Sequence, residues 1–152
     1  MSIVTEAFAN INSINKQIEL ARIHLSKADE CTNFYGRLLE EVSKEHAKCV
    51  WQTNRHLAQM KSLEDTFDVR LKEVEAPLWK KYTENYNVKL SQKDIIAYIG
   101  GEQDYLDMIE LKHEILLVRR ELEAYSKGLE SMGFQIKHVT ELRVKELEYA
   151  VV

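Results

Sequence analysis

Residues 50–74 read VWQTNRHLAQMKSLEDTFDVRLKEV, and the spacing of their apolar side chains decides the fold. Val50, Thr53, Leu57, Met60, Phe67, Leu71 and Val74 recur at steps of three and four, with Glu64 as the one charged residue on the stripe. A strand alternates every second residue, whereas steps of three and four gather side chains on one face of a helix. The same rhythm runs upstream through Val4, Ala7, Ile11, Ile14, Ile18, Ala21, Leu25 and Ala28, then Tyr35, Leu39 and Val42, with Thr32 a weak link. A seam sustained over so many heptads is the pattern of long helices packed as a bundle or coiled coil. Between residues 46 and 50 the register slips by one, as a helix of about 3.6 residues per turn drifts against a repeat of about 3.5. A break is expected near SKADECTN (26–33), where Ser26 and Asp29 can cap a new helix, with one uninterrupted helix as the alternative.

Composition agrees with an all-α chain. Five glycines and one proline in 152 residues leave little material for turns, and the length suits a single domain. With 45% hydrophobic and 30% charged residues, and no apolar run long enough to span a bilayer, a cytoplasmic protein without membrane contact is expected. Cys31 and Cys49 stand apart without a C-x-x-C pattern, which suits reduced thiols.

Pro77 is expected to end or kink the N-terminal helices (1–76), because proline removes a backbone donor. Residues 77–101 then read as a basic-aromatic loop and a short helix, opened by the capping-box form Ser91-x-x-Asp94 and stopped at Gly100–Gly101. A long helix follows over 102–132, with Leu106, Ile109, Leu116, Leu122, Tyr125 and Leu129 on its apolar face. Gly133 suits the left-handed position that closes a helix, with Phe134 folding back onto the preceding turns. Residues 134–152 then form a short terminal helix. Phe134, Ile136, Val139, Leu147 and Val151 give it an apolar face suited to assembly with a neighbouring copy.

No phosphate-binding glycine loop, dinucleotide fingerprint or H-E-x-x-H motif occurs, so no catalytic residue, cofactor or metal ligand is signalled. The five histidines never pair at ligand spacing and read as surface or seam residues.

Two stretches carry cations with aromatics. Residues 46–63 contain no acid, and helical spacing places Lys44, Lys48, Trp51 and Arg55 on one face with Gln59 and Ser62. An indole among cations suits single-stranded nucleic acid, since cations follow phosphates and the ring offers a stacking platform. The plainer alternative is a solvated face whose Trp51 packs on another helix. In the second stretch, residues 77–93, Trp79, Tyr82 and Tyr86 alternate with Lys80, Lys81, Lys89 and Lys93, and a loop would leave them free to reach. Its plainer alternative is a loop that its aromatics anchor to the core. Net charge over the chain is −4, yet 76–93 is basic and 94–114, with six acids against Lys112, is acidic. That acidic segment suits either a solvated face or a docking surface for a basic partner.

The run LEAYSKGLESMGFQIKHVTELRVKE (122–146), with its GFQIKH core at Gly133–His138, resembles the C-terminal end of the UvsY family, the recombination mediators of tailed phages. Upstream, IIAYIGGEQDYLDM (95–108) is similar to the family segment leading into its long C-terminal helix, so the resemblance spans about a third of the chain, residues 94–148. The family's short Lys/Arg motif before a paired tyrosine aligns with EAPLWKKYTE (75–84), where Glu75 and Pro77 stand in place of cations. Arg70 and Lys72 precede that stretch, and Lys80 and Lys81 follow it.

The resemblance implies a non-enzymatic, ring-like homo-oligomer in the host cytoplasm. It would bind single-stranded DNA and help load a RecA-like recombinase onto strands coated by single-strand binding protein. The rival expectation is a structural or scaffolding coiled-coil protein that does not bind DNA.

Overall fold

A computed structural model of the chain describes the backbone of residues 3–85 and 88–149, and the side chains of 11–85 and 88–146. Among the described residues there are five helices: α1 (Ile3–Ser26), α2 (Ala28–Cys31), α3 (Leu39–Glu84), α4 (Gln92–Gly100) and α5 (Gln103–Tyr149). The fold is all-α, with no strand among the described residues. Packing divides the chain into two compact units, Met1–Ile18 with Met60–Val118, and Glu19–Gln59 with Arg119–Val152. Helices α1, α3 and α5 each contribute residues to both.

The heptad reading survives where apolar periodicity is strongest. Ile18 and Ala21 on α1 and Val42, Met60 and Phe67 on α3 are buried, as the seam requires. Thr53 is buried too, and its hydroxyl meets His24 Nε2 at 2.8 Å, so this polar seam position has a partner. On α5 the buried series is Met108, Ile115, Val118, Leu122, Tyr125, Leu129 and Met132. Leu122, Tyr125 and Leu129 lie where expected, but Leu106 is exposed, and Met108 and Ile115 replace Ile109 and Leu116 as the buried positions. Counting back from Leu122 in sevens leads to Ile115 and Met108, so the seam follows the heptad rather than the drift of a straight helix.

The chain leaves the helix at Ser26, inside the expected break. Ser26 Oγ donates to the Ile23 carbonyl at 2.6 Å, and α2 begins without a side-chain cap. Tyr35 departs from the seam and is 92% exposed. Beside it Gly36 takes a φ of 71°, the left-handed conformation that glycine adopts without a Cβ clash. The expected capping box at Ser91–Asp94 opens α4, with the Asp94 amide donating to Ser91 Oγ at 3.2 Å.

Two expected breaks do not occur. Helix α3 continues through Pro77 to Glu84, so the loop expected from residue 77 begins only afterwards. An interior proline costs about 3 kcal/mol. The turn after it recovers stability, because Leu78 and Trp79 pack against a cluster of Tyr82 with Ile95 and Ile99 of α4. Helix α5 likewise runs through Gly133 to Tyr149, and no separate terminal helix forms among the described residues. Positive φ occurs there at Gly36 and not at Gly133, and Phe134 is 68% exposed rather than folded back. Glycine at 133 has a different physical reason: a Cβ there would lie 3.2 Å from Cε1 of the His46 ring. His46 Nε2 in turn sits 2.6 Å from the Leu129 carbonyl, so the ring lies close against α5.

Candidate nucleic-acid interface

On α3 the steps from Lys44 to Lys48, Trp51 and Arg55 are four, three and four, so one stripe of surface carries all four side chains. Val42, Cys49 and Thr53 of the same turns are buried, which turns this stripe outward. All four side chains are exposed, Trp51 at 63%. Packing of Trp51 onto another helix, the plainer expectation, is not what the fold does. Instead the Arg55 guanidinium lies over the indole, 5.4 Å from the ring centroid. Such a contact contributes about 0.5–1 kcal/mol at an exposed site. Acid is scarce along the stripe: residues 46–63 have none, and Glu45 is ion-paired with Arg37. The surface offers a flat apolar face bordered by three cations.

The second basic-aromatic stretch behaves in the opposite way. Trp79 packs against the α4 cluster, and Tyr82 is 8% exposed. The Tyr82 hydroxyl donates to Glu102 Oε1, and the ring stacks on Tyr98 at 5.4 Å. Lys81 bridges to the same carboxylate at 2.9 Å and lies 5.2 Å from the Tyr82 ring centroid. Tyr82 first and Lys81 second hold the Glu102 carboxyl below its ordinary range. Trp79 and Tyr82 therefore fasten α4 to α3, which corrects the reading of these two aromatics as free to reach, while Lys81 stays exposed and pairs with Glu102 just beyond α4. Lys72, Lys80, Lys89 and Lys93 are exposed, whereas Arg70 pairs with Glu73 at 3.3 Å. Tyr86 lies outside the described residues.

Of the residues expected to form an assembly face, Ile136 packs on its own unit, against the core of Val42, Cys49, Tyr125, Leu129 and Met132. Val139 is half-buried and Phe134 is exposed. The Leu147 side chain and Val151 lie outside the described residues. Beyond Val139 every described side chain of α5 is exposed, with Leu142 and Val144 among them.

The interior of the unit Glu19–Gln59/Arg119–Val152 holds a polar cluster that sequence reasoning did not single out. The His24 ring lies 4.9 Å from His56 and 5.6 Å from Tyr125. Burial, then the His56 and Lys27 charges, lowers the His24 pKa; burial and the Arg55 charge lower that of His56. Burial and the adjoining Cys31 thiol push the Cys49 thiol up to about 11, so it keeps its proton near neutrality and lacks the thiolate that cysteine nucleophiles need. One signal was available: His46, Cys49, Thr53 and His56 themselves repeat at steps of three and four.

No group of three or more metal-ligating side chains occurs among the described residues, and none of their helices is long and apolar enough to cross a membrane. No family model, curated protein or solved structure matches the chain.

Proposed function

We propose that this chain is a non-enzymatic protein that binds single-stranded DNA through the Lys44–Arg55 stripe of α3. It would act as a homo-oligomer in the manner of the phage recombination mediators that residues 94–148 resemble, helping a RecA-like recombinase onto strands coated by single-strand binding protein. The observation that carries the binding reading is Trp51, left 63% exposed under a guanidinium and beside lysines. Stacking on an indole accepts any base, and cations at one-turn spacing follow a backbone without reading sequence, which is what a mediator requires. One stripe per subunit binds weakly. Copies linked in an oligomer bind a long strand tightly yet release it stepwise.

Fluorescence anisotropy with a labelled single-stranded oligonucleotide at rising salt tests this. Salt-sensitive binding that Trp51→Ala weakens supports the reading, and absence of binding at low salt by the folded protein removes it.

A second reading, a scaffolding coiled-coil protein, draws on the exposed Leu142 and Val144 near the end of α5. It expects a dimer or trimer indifferent to DNA. Light-scattering mass with and without the oligonucleotide separates the two readings.

A further inference from the structure

The unit Met1–Ile18/Met60–Val118 contains an open cleft of about 430 Å³ that nucleic-acid binding does not use. Its floor is apolar: Ile11 from α1, Val74, Pro77 and Leu78 from α3, Met108 and Leu111 from α5. Its rim is acidic, with Glu73 on α3 and Asp104, Asp107, Glu110 and Glu114 on α5, against Arg70 as the one cation among the described lining residues.

Two cations of α3 and α5 beside this rim are ion-paired. Arg70 is bound to Glu73 at 3.3 Å, and Lys112 on α5 is bound to Asp68 at 2.7 Å. Arg70 neutralises Glu73, and the exposed carboxylates Asp104, Asp107 and Glu110 leave net negative charge at the mouth, which disfavours a nucleic-acid strand.

The lining residues also fix the shape. On α3 they are 70, 73, 74, 77 and 78, and on α5 they are 104, 107, 108, 110, 111 and 114. Both sets follow helical steps over two to three turns, so the cleft is a trough about 12–15 Å long at about 1.5 Å of rise per residue. Its volume lies in the range of about 300–1,000 Å³ typical of occupied clefts. A trough with an apolar floor and charged edges fits an amphipathic helix, whose i, i+3/i+4 and i+7 side chains fill the floor while its flanks meet the rim.

We infer that this cleft is a docking site for a cationic amphipathic helix of a partner protein. The apolar floor provides burial, and the carboxylate rim selects for lysine and arginine on the helix flanks. This inference does not rest on the DNA-binding proposal, because it uses different residues and its test contains no DNA.

The test uses the full chain and three labelled peptides of about five helical turns: a Leu/Lys amphipathic helix, a Leu/Glu helix with the same apolar face, and a Lys-rich peptide without one. Anisotropy at moderate salt should show saturable binding of the Leu/Lys helix, and binding at least about tenfold weaker for the other two. Asp107→Lys with Glu110→Lys, both exposed, should weaken Leu/Lys binding at least about tenfold while leaving thermal stability nearly unchanged. Equal binding of the Leu/Glu helix overturns the inference, as does full binding by the double variant. Capture of spermidine with no binding of the Leu/Lys helix also overturns it, and makes the cleft a site for small polycations.

Discussion

Two stretches of α3, Lys44–Arg55 and Pro77–Glu84, look alike as sequence, each with a tryptophan among cations, yet the fold treats them oppositely. Around Trp79 and Tyr82 there is something to pack on: α4 supplies Ile95 and Ile99, and Glu102 takes both the Tyr82 hydroxyl and the Lys81 ammonium. The Trp51 ring, by contrast, stays 63% exposed, and its near partner is the guanidinium of Arg55. An aromatic beside lysines is thus an anchor or a platform according to whether another element covers it. Composition does not distinguish these outcomes.

The largest expected effect breaks the anchor. Tyr82→Ala should destabilise the protein by about 3–5 kcal/mol in urea unfolding, since a buried aromatic and its hydrogen bond are both removed. Single-stranded DNA affinity, measured where the variant is still folded, should not change. A drop in affinity there would place the strand on the wrong stretch in our proposal.

The complementary change, Trp51→Ala, should reverse that pattern. Binding should weaken by about 1–3 kcal/mol with stability altered by no more than about 1 kcal/mol. Lys48→Glu with Arg55→Glu should also flatten the salt dependence, by about 0.7 in slope for each phosphate no longer neutralised. Lys80→Glu with Lys81→Glu should leave that slope nearly unchanged, and titration of both doubles on one oligonucleotide compares them directly.

A smaller effect separates two glycines of α5. Gly128 has open space where a Cβ would go, so Gly128→Ala should stabilise by about 0.5–1 kcal/mol through helix propensity. Gly133→Ala meets the His46 ring at 3.2 Å and should gain less or reduce stability. In a His46→Ala background the two substitutions should become equivalent, which a double-mutant cycle reads.

The smallest effect concerns acid. His24 and His56 have lowered pKa values in the folded protein, so the unfolded chain takes up protons first as pH falls through about 6.5. Their contribution is intact above that value and is lost on acidification. Around them lie Thr53, Tyr125, Arg55 and Lys27, none of which offers a carboxylate to offset new positive charge. Glu102 in the other unit, held low by Tyr82 and Lys81, retains its contribution until pH falls below about 4.5. Hydrogen exchange at pH 7 and 5.5 should therefore show amides of the histidine-bearing unit losing protection first. His56→Gln should reduce the difference.

The seam alone determined that the chain is helical, and the capping box at Ser91 fixed where α4 begins, because periodicity and caps are local properties. Gly133 and Pro77 show the limit. Each carries a strong local signal to stop a helix, and in each case tertiary packing decided otherwise. Gly133 provides clearance for a histidine 87 positions earlier in the chain, and Leu78, Trp79 and Tyr82 offset the missing donor of Pro77 by docking α4. The Lys44–Arg55 stripe was legible because its four members share one helix face. Which tryptophan stays exposed depended on which surfaces other helices cover, and so did the bringing together of α1, α3 and α5 around an acidic cleft. Proximity between residues far apart in the chain is a property of the packed fold, which local spacing does not encode.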